Sequence, residues 1–285
     1  MGFKEKLKNA LIGILTDEEL SVLPRGFQTI GDVAIIKLNS ILLGKKNAIA
    51  EKYLELLPSI NSVYLNSGRV KGKFRTPEKI EYLAGVDNPV VQHKEHGVIY
   101  KFDFTQIMFS MGNLSERKFL ATLVEDGETI VDMFAGIGYF SLPIAKHSKP
   151  KKIYSIELNP ESFKFLNENI RLNHFEDIIT PIKGDSKIEV IKLSKSGIKA
   201  DRVIMGVFPA PKDFIKEALT LTKVDGTVYH YEGIVDKEKY LALFDEFKEI
   251  AETSDFKCDL LGKRFVKSYG PGLYHAVFDI KVYKK

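Results

Sequence analysis

The chain has 285 residues, of which 44% are apolar and 28% charged, the balance of a globular protein rather than a disordered one. Its longest apolar runs, such as the one around Ile35 and Ile36, are far shorter than the ~20 residues that span a membrane, and residues 1–15 lack a signal-peptide cleavage pattern. The single cysteine, Cys258, excludes an internal disulfide framework and a cysteine-based zinc site, so we expect a cytoplasmic protein without a metal.

The length accommodates two domains, which we place at residues 1–110 and 111–285. The first begins with a lysine-rich amphipathic helix over residues 1–15. Short β-like runs separated by turn residues follow, which predicts a smaller α+β domain. Its strands and its one further helix are predicted at Val33–Leu38, Ser62–Leu65, Val98–Phe102 and Lys46–Leu57.

The net charge of +4 comes from the first 118 residues, which contain 17 basic and 13 acidic side chains. The remaining residues contain 25 of each. Four of these basic residues surround Phe74 without an acid among them: Arg69, Lys71, Lys73 and Arg75. Such a segment can neutralise nucleic-acid phosphates, and it can equally be the lysine-blunted edge of a sheet. We treat it as a candidate contact for a nucleic-acid substrate.

From Asn113 onward, helices and strands alternate, which predicts a parallel sheet with helices on both faces. The strands are predicted at Thr129–Phe134, Lys152–Glu157, Ile178–Lys183, Arg202–Gly206 and Gly226–Tyr231, and the helices at Leu114–Leu123, Ser141–Lys146, Pro160–Asn173, Lys187–Leu193, Ala210–Leu221 and Lys237–Glu252. Turn residues 268–272 join a last pair, Lys257–Val266 and Tyr274–Val282, as in an antiparallel hairpin. A doubly wound α/β sheet that ends in such a hairpin is the Rossmann-like fold of class I AdoMet-dependent methyltransferases, and this is the fold we predict.

The strongest chemical signal is the glycine turn Asp132–Gly138, at the point where the first strand of the α/β domain turns into a helix. Gly136 and Gly138 let the backbone approach a ligand closely, because neither carries a Cβ. Glu157 ends the second strand, where it can accept hydrogen bonds from both ribose hydroxyls of a nucleoside. Asp185 ends the third, where it can meet an adenine amino group. Each acid taken alone is equally typical of a helix N-terminus, but their order after the glycine turn predicts a nucleotide site.

Two other nucleotide ligands compete for such a turn. A dinucleotide requires a third small residue in the turn, and Phe140 occupies that position. A P-loop is absent from the sequence, which disfavours nucleoside triphosphates. The Asp-x-Phe-x-Gly-x-Gly form therefore favours AdoMet.

These motifs resemble the tRNA (guanine-37) methyltransferase family and its relatives in wybutosine biosynthesis. The resemblance covers nearly the whole chain from Leu20, and it includes segments of the N-terminal part as well as the nucleotide site. The matching segments are Leu23–Phe27, Ile30–Ala34, Gly72–Arg75, His93–Gly97, Phe109–Ser110, Glu116–Arg117, Asp132–Gly138, Glu157–Pro160 and Gly184–Asp185. The resemblance implies an AdoMet-dependent enzyme that acts on tRNA, with no membrane and no obligatory protein partner.

The family performs two reactions, and the end of the fourth strand separates them. In the methyltransferases an asparagine at this point helps to hold the base; here Gly206 takes its place, followed by Pro209. This Met-Gly-x-x-Pro pattern resembles the wybutosine-pathway 3-amino-3-carboxypropyl transferases, and the stretch before Leu20 is short for the extra N-terminal domain of the archaeal methyltransferases. The resemblance thus implies transfer of the aminocarboxypropyl group to demethylwyosine at position 37 of phenylalanine tRNA, with methyl transfer to guanine as the alternative. A non-catalytic RNA-binding protein is a third hypothesis, which the intact nucleotide motif disfavours.

By the same resemblance, further residues are expected at the bound AdoMet or the base. Those near AdoMet are Ser110, Arg117, Phe134, Leu158 and Ser186, beside the glycines and the two acids. Gly206 and Pro209 are expected near the acceptor base. Three residues of the late strands, His230, Tyr231 and His275, are more typical of polar strand ends, with base contact as the alternative. No general base is assigned.

Overall fold

The computed structural model describes residues 2–68, 70–72 and 76–285. The chain divides into two compact units, Met1–Lys94 with Ile99–Phe109, and Glu95–Val98 with Ser110–Lys285.

The first unit is built on a four-stranded sheet with the strand order β1-β2-β3-β6. Strands β2 and β3 are parallel, whereas β1–β2 and β3–β6 are antiparallel. Two further strand pairs, β4–β5 and β7–β8, lie outside this sheet. The elements are α1 (Phe3–Ala10), α2 (Asp17–Ser21), β1 (Gln28–Ile30), β2 (Val33–Ile36), α3 (Lys46–Leu56), β3 (Ser62–Asn66), β4 (Val70–Lys71), β5 (Thr76–Pro77), β6 (Ile80–Gly85), β7 (Val90–Glu95) and β8 (Val98–Asp103).

Two local features set the start of this unit. Helix α1 ends at Ala10 rather than continuing to Leu15, because Gly13 takes a φ of 83° and a new helix begins after Thr16. The Thr16 side chain accepts the Glu19 N–H while the Glu19 carboxylate accepts the Thr16 N–H, a capping box that fixes the first turn of α2. The sequence prediction of a single helix over residues 1–15 is therefore wrong.

The second unit contains a seven-stranded sheet with the strand order β11-β10-β9-β12-β13-β15-β14. Its first five strands are parallel and β15 is antiparallel to both of its neighbours. The elements are α4 (Leu114–Thr122), β9 (Thr129–Asp132), α5 (Ser141–His147), β10 (Lys152–Glu157), α6 (Pro160–Leu172), β11 (Ile179–Lys183), α7 (Ser186–Lys195), β12 (Arg202–Met205), α8 (Ile215–Ala218), β13 (Thr227–Asp236), α9 (Ala242–Glu252), β14 (Phe256–Gly270) and β15 (Leu273–Lys284). The predicted Rossmann-like sheet with its closing hairpin is confirmed.

The interior strands are almost entirely buried, as expected for parallel strands covered on both faces. Strand order reverses between β9 and β12, which run side by side although β10 and β11 intervene in the chain. Ligands of such sheets bind beyond the carboxyl ends of the strands at this reversal. Asp132, Glu157, Met205 and Glu232 lie at or near these ends.

Three predicted elements of this unit differ markedly from the structure. The helix predicted over Ala210–Leu221 is instead a short α8 flanked by two 3-10 turns, because Pro211 disfavours the helical conformation at Ala210, the residue before it. Strand β13 runs on past Tyr231 to Asp236, since this extension pairs with β15, and α9 consequently begins at Ala242 instead of Lys237.

Candidate active site

The glycine turn adopts a conformation that only glycines accommodate without strain. Gly136 has a φ of 58° and Gly138 a φ of 100°. A Cβ on Gly136 would lie 2.5 Å from the Tyr139 ring, and one on Gly138 would lie 2.7 Å from the Leu142 side chain. Gly136 nevertheless stays partly exposed, so its backbone remains accessible to a ligand.

Glu157 braces this turn. One carboxylate oxygen accepts the N–H of Gly136 at 2.7 Å, and the other accepts the N–H of Asn159 at 2.6 Å. A carboxylate has about four acceptor positions, so two remain for the hydroxyls of a ribose. Burial raises the pKa of Glu157, and the backbone N–H groups of Asn159, Gly136 and Leu158 oppose that rise. The residue thus joins strand β10 to the glycine turn, in a position that suits the predicted ribose contact.

Asp185 caps helix α7, with Oδ1 accepting the N–H of Lys187 at 2.9 Å. Its Oδ2 accepts no hydrogen bond within the described part of the chain, which leaves that oxygen for an adenine amino group. Ser186 is buried, and its hydroxyl donates to the carbonyl of Met133. The capping role and the ligand role of Asp185 are therefore compatible, whereas the Ser186 hydroxyl is already used to hold β9 against α7.

Phe134 and Leu158 are partly exposed beside these acids, and the Phe134 ring makes an edge contact with Phe214 at 4.9 Å. Apolar side chains at this level can cover the faces of a purine. Phe134, Leu158 and Asp185, which follow β9, β10 and β11, are each partly exposed at the carboxyl edge of the sheet.

Asp132 is fully buried below the turn. Its Oδ2 accepts the Ser141 hydroxyl at 2.7 Å. Burial raises the pKa of Asp132 to about 7, and the nearby charges of Glu157 and Glu232 add to the rise. Asp132 and Glu157 thus lie near each other at the sheet edge, and a bound cation would stabilise their ionised forms.

This cluster predicts a pH dependence that separates a cationic ligand from a neutral one. AdoMet carries a net positive charge, whereas methylthioadenosine is neutral. Ionised Asp132 attracts the cation, so AdoMet affinity should fall as the pH drops through about 7, by about tenfold for each unit that binding lowers the pKa. Calorimetric titration of the protein with AdoMet between pH 5.5 and 7.5 measures this change in affinity. Methylthioadenosine should bind equally over that range, and Asp132→Asn should flatten the AdoMet profile; a profile that persists in this variant would contradict the assignment to Asp132.

Arg117 is buried, contrary to the usual place of an arginine at a helix start. Its Nη1 donates to both carboxylate oxygens of Glu95, at 2.8 and 3.1 Å, and its Nη2 donates to the Ser110 carbonyl at 3.0 Å. The same group lies 4.8 Å from the centre of the Tyr139 ring. Arg117 therefore connects Ser110 with the glycine turn, and the Ser110 hydroxyl in turn accepts Lys267 Nζ at 3.0 Å.

A chain of largely buried ionisable side chains connects strands β12, β13, β15 and β14. Arg202 forms a bidentate pair with Glu128 and contacts His230 Nε2 at 2.8 Å. On its other side His230 contacts Asp279, which pairs with Arg264, and Arg264 pairs with Glu116 at 2.7 Å. Burial lowers the pKa of His230, against the opposing effect of Asp279. His230 thus belongs to a structural network, as the interpretation of a polar strand residue predicts.

The segment after β12 brings Gly206 next to a residue that the sequence analysis did not single out. A Cβ on Gly206 would lie 3.2 Å from the carboxyl of Glu232 and 3.2 Å from the Phe140 ring. Glu232 is hydrogen-bonded to His275 at 2.9 Å, whereas Tyr231 points away and donates to Glu246 at 2.9 Å. Pro209 is exposed and follows a cis peptide bond. The signal for Glu232 was available as an acid at the end of the fifth parallel strand, but its partner His275 lies 43 residues away in the chain.

The basic segment of the first unit cannot be placed in the same way. Arg69, Lys73 and Arg75 lie outside the described residues, and Lys71 is described only through the backbone of β4.

A doubly wound sheet with a closing hairpin, whose carboxyl edge carries this glycine turn and these two acids, defines an AdoMet-dependent transferase. The family model described as the TRM5/TYW2 methyltransferase domain matches residues 91–261, and the TYW2 N-terminal domain matches residues 7–88. The chain belongs to the TRM5/TYW2 family.

Individual relatives show which members of this family the chain is similar to in sequence and structure. The chain is 38% identical over 285 residues, 99% of this chain and 98% of the relative, to the tRNA(Phe) (4-demethylwyosine(37)-C(7)) aminocarboxypropyltransferase of Pyrococcus horikoshii. The P. horikoshii TYW2 structure in complex with MeSAdo is similar at a TM-score of 0.84 and 34% identity, over 99% of this chain and all of that one. The Methanocaldococcus jannaschii TYW2 structure in complex with AdoMet is similar at 0.72 and 32%, over 91% of this chain and 100% of that one. Among the helices that the structure describes, none is long and apolar enough to cross a membrane.

Proposed function

We propose that this protein transfers the 3-amino-3-carboxypropyl group of AdoMet to the 4-demethylwyosine base at position 37 of phenylalanine tRNA and releases methylthioadenosine. The observation that carries the proposal is Gly206, which stands where the related methyltransferases are expected to have an asparagine. The Glu232 carboxyl lies 3.2 Å from the position that a Cβ of such a side chain would take. The match of the N-terminal part to the TYW2 domain supports the same reaction.

The donor supplies an activated sulfonium with three electrophilic carbons, and the enzyme selects one by placing it in line with the nucleophile. Glu157 and Asp185 are proposed to hold the ribose and the adenine. Phe134 and Leu158 are proposed to enclose the nucleoside between them. With the nucleoside fixed at these points, the direction of the methionine arm decides which carbon faces the base. Aminocarboxypropyl transfer follows when the Cγ carbon, rather than the methyl group, points toward the acceptor.

The relatives in this family are named for their action on tRNA. We propose that the same holds here, with residues 1–110 as a tRNA-binding domain and 111–285 as the catalytic domain of a cytoplasmic enzyme. The basic residues Arg69, Lys71, Lys73 and Arg75 are proposed to contact tRNA phosphates, since four basic side chains without a neighbouring acid suit a polyanion. Pro209, exposed beside Gly206, is proposed to lie near the base.

The alternative reaction is methyl transfer to guanine at position 37. It is favoured by the fold and nucleotide motif that both branches of the family share. The two reactions leave different atoms of AdoMet on the RNA, so they separate in a single experiment.

The test uses AdoMet labelled in the methyl group and, separately, AdoMet labelled in the methionine carboxyl group. Each is incubated with the protein and phenylalanine tRNA that carries the tricyclic precursor, and the label in the RNA is counted. We expect the carboxyl label to enter and the methyl label to stay in solution as methylthioadenosine. Methyl label alone in the RNA would establish a methyltransferase and contradict the interpretation of Gly206.

A further inference from the structure

Glu232 and His275 form a buried pair that none of the proposed AdoMet contacts uses. Glu232 Oε2 and His275 Nε2 are 2.9 Å apart, and the two side chains are 2% and 0% exposed. Each residue has a second polar atom, Glu232 Oε1 and His275 Nδ1, that is buried without a hydrogen-bond partner within the described residues. Leaving a buried carboxylate oxygen unsatisfied is costly, so such an atom in a native fold calls for an explanation.

The unpartnered oxygen of Glu232 faces the position of the missing side chain at Gly206. A Cβ there would lie 3.2 Å from Glu232 Oε1 and 3.2 Å from the Phe140 ring. Glu232 and Phe140 therefore close tightly around Gly206, and no side chain fits there unless one of them shifts. This contact lies beside the proposed AdoMet region, because Phe140 comes directly after the glycine turn and Tyr139.

Phe208 covers the other side of the pair. Its ring makes an edge contact with the His275 ring at 4.7 Å and lies 5.8 Å from the Tyr269 ring, and it is partly exposed. An unstacked base that enters beside Gly206 would displace part of this cover and find an aromatic face to stack on. A buried acceptor oxygen and a partly exposed aromatic ring thus lie together beside Gly206, a combination that suits a flat ring with an N–H donor.

We propose that Glu232, oriented by His275, receives the acceptor base: its free oxygen accepts a hydrogen bond from a ring N–H of a purine-derived base and takes up the proton released by the transfer. This inference rests on the proposed function and extends it to the acceptor side of the same site. Glu232 is the group that contacts the base, and His275 is a positioning residue that fixes the carboxyl rotamer through Oε2.

The chemistry balances with these groups alone. A carbon of the base forms a bond to the Cγ carbon of AdoMet, the C–S bond breaks, and the sulfonium sulfur keeps the electron pair as neutral methylthioadenosine. The base then carries one proton too many, which leaves to the Glu232 carboxylate and from there to solvent. No oxidant, reductant or further reactant is required.

The test compares Glu232→Gln with a matched control, Glu246→Gln, which removes a carboxyl that also hydrogen-bonds strand β13 but lies away from Gly206. Single-turnover transfer to precursor tRNA, AdoMet affinity and the thermal midpoint are measured for each. We expect Glu232→Gln to slow transfer by about 100-fold, with AdoMet affinity and thermal midpoint retained, and Glu246→Gln to transfer at the wild-type rate. Glu232→Asp, which keeps the charge but withdraws the carboxyl, is expected to be slow as well and serves if the glutamine variant does not fold.

His275 provides the positioning readout. His275→Leu should slow transfer by about tenfold without changing AdoMet affinity, and His275→Gln should restore most of the rate because its amide N–H can reach Glu232 Oε2. Glu232 variants that transfer at the wild-type rate, or that lose transfer only in step with AdoMet affinity or folding, would overturn the inference while leaving the proposed function intact.

If the wild-type protein itself transfers no aminocarboxypropyl group, the proposed function fails, and binding decides the inference instead. Precursor tRNA should then bind Glu232→Gln about tenfold more weakly than it binds the wild type in the absence of AdoMet, and equal affinity would overturn the inference.

Discussion

Replacing Glu157 with alanine is expected to weaken AdoMet binding by about 1–3 kcal/mol, or roughly 5- to 150-fold in Kd. The carboxylate holds the Gly136 and Asn159 N–H groups at 2.7 and 2.6 Å, and its remaining acceptor positions are proposed to bind the ribose hydroxyls. The alanine variant loses all of these at once. Isothermal titration with AdoMet measures the change directly.

Methylthioadenosine makes this experiment specific, because it keeps the ribose and lacks the methionine arm. The affinity for methylthioadenosine should fall by the same factor as the affinity for AdoMet in Glu157→Ala. Glu161→Ala is the matched control, since Glu161 is an exposed acid four residues further along the chain. Its backbone N–H donates to Asn159, whereas its carboxylate makes no hydrogen bond to the residues that the structure describes. Unchanged affinity in Glu157→Ala would remove this residue from the nucleoside site, and a loss confined to AdoMet would place it at the methionine arm instead.

The nucleotide half of the site could be predicted because its signals are local. The glycines, Glu157 and Asp185 each follow a strand whose apolar run is visible in the sequence, and the predicted bounds of β10 agree with the structure at both ends. Parallel strands end at one edge of the sheet, so residues that follow successive strands must come together. Chain order alone was then sufficient to place these residues at one edge of the sheet.

The surroundings of Gly206, proposed to receive the base, could not be predicted because they depend on pairing between distant segments. The last residues of β13, which lie between the predicted strand and the predicted helix, are drawn into the sheet by β15, as in the register Glu232↔Val277 and Ile234↔His275. Neither segment shows this in isolation. His275 consequently had the pattern of a polar strand residue, and Glu232 was visible only as an acid directly after the predicted strand Gly226–Tyr231.

Arg117 illustrates a second limit. A charged residue in the first turns of a helix is usually solvated, whereas here Glu95, 22 residues earlier, neutralises Arg117 in a buried position. The ion pair is made by the tip of one hairpin and the start of a helix. Sequence spacing does not predict such a pair, although the resemblance to the family did single out Arg117.

Gly206→Asn is expected to reduce aminocarboxypropyl transfer by about 100-fold or more. The new Cβ would stand 3.2 Å from the Glu232 carboxyl and from the Phe140 ring, so one of these groups must shift to admit the amide between them. There its N–H can donate to the unpartnered Glu232 Oε1, which satisfies the buried oxygen and closes the space proposed for the base. The rate of label transfer from carboxyl-labelled AdoMet, compared with the wild type, measures the effect.

Stability and ligand affinity make this prediction discriminating. The asparagine would satisfy a buried acceptor, and this gain offsets the destabilisation by crowding, so the thermal midpoint should stay close to that of the wild type. AdoMet affinity should be retained as well, since Gly206 is not among the proposed nucleoside contacts. Gly44→Asn is the control, as no other atom lies within 4 Å of a Cβ at that position. A Gly206→Asn protein that transfers normally would show that the base does not enter beside Glu232. A variant that loses AdoMet affinity together with transfer would assign Gly206 to the donor side of the site, and the choice between the two reactions would then depend on how this glycine lets the methionine arm turn.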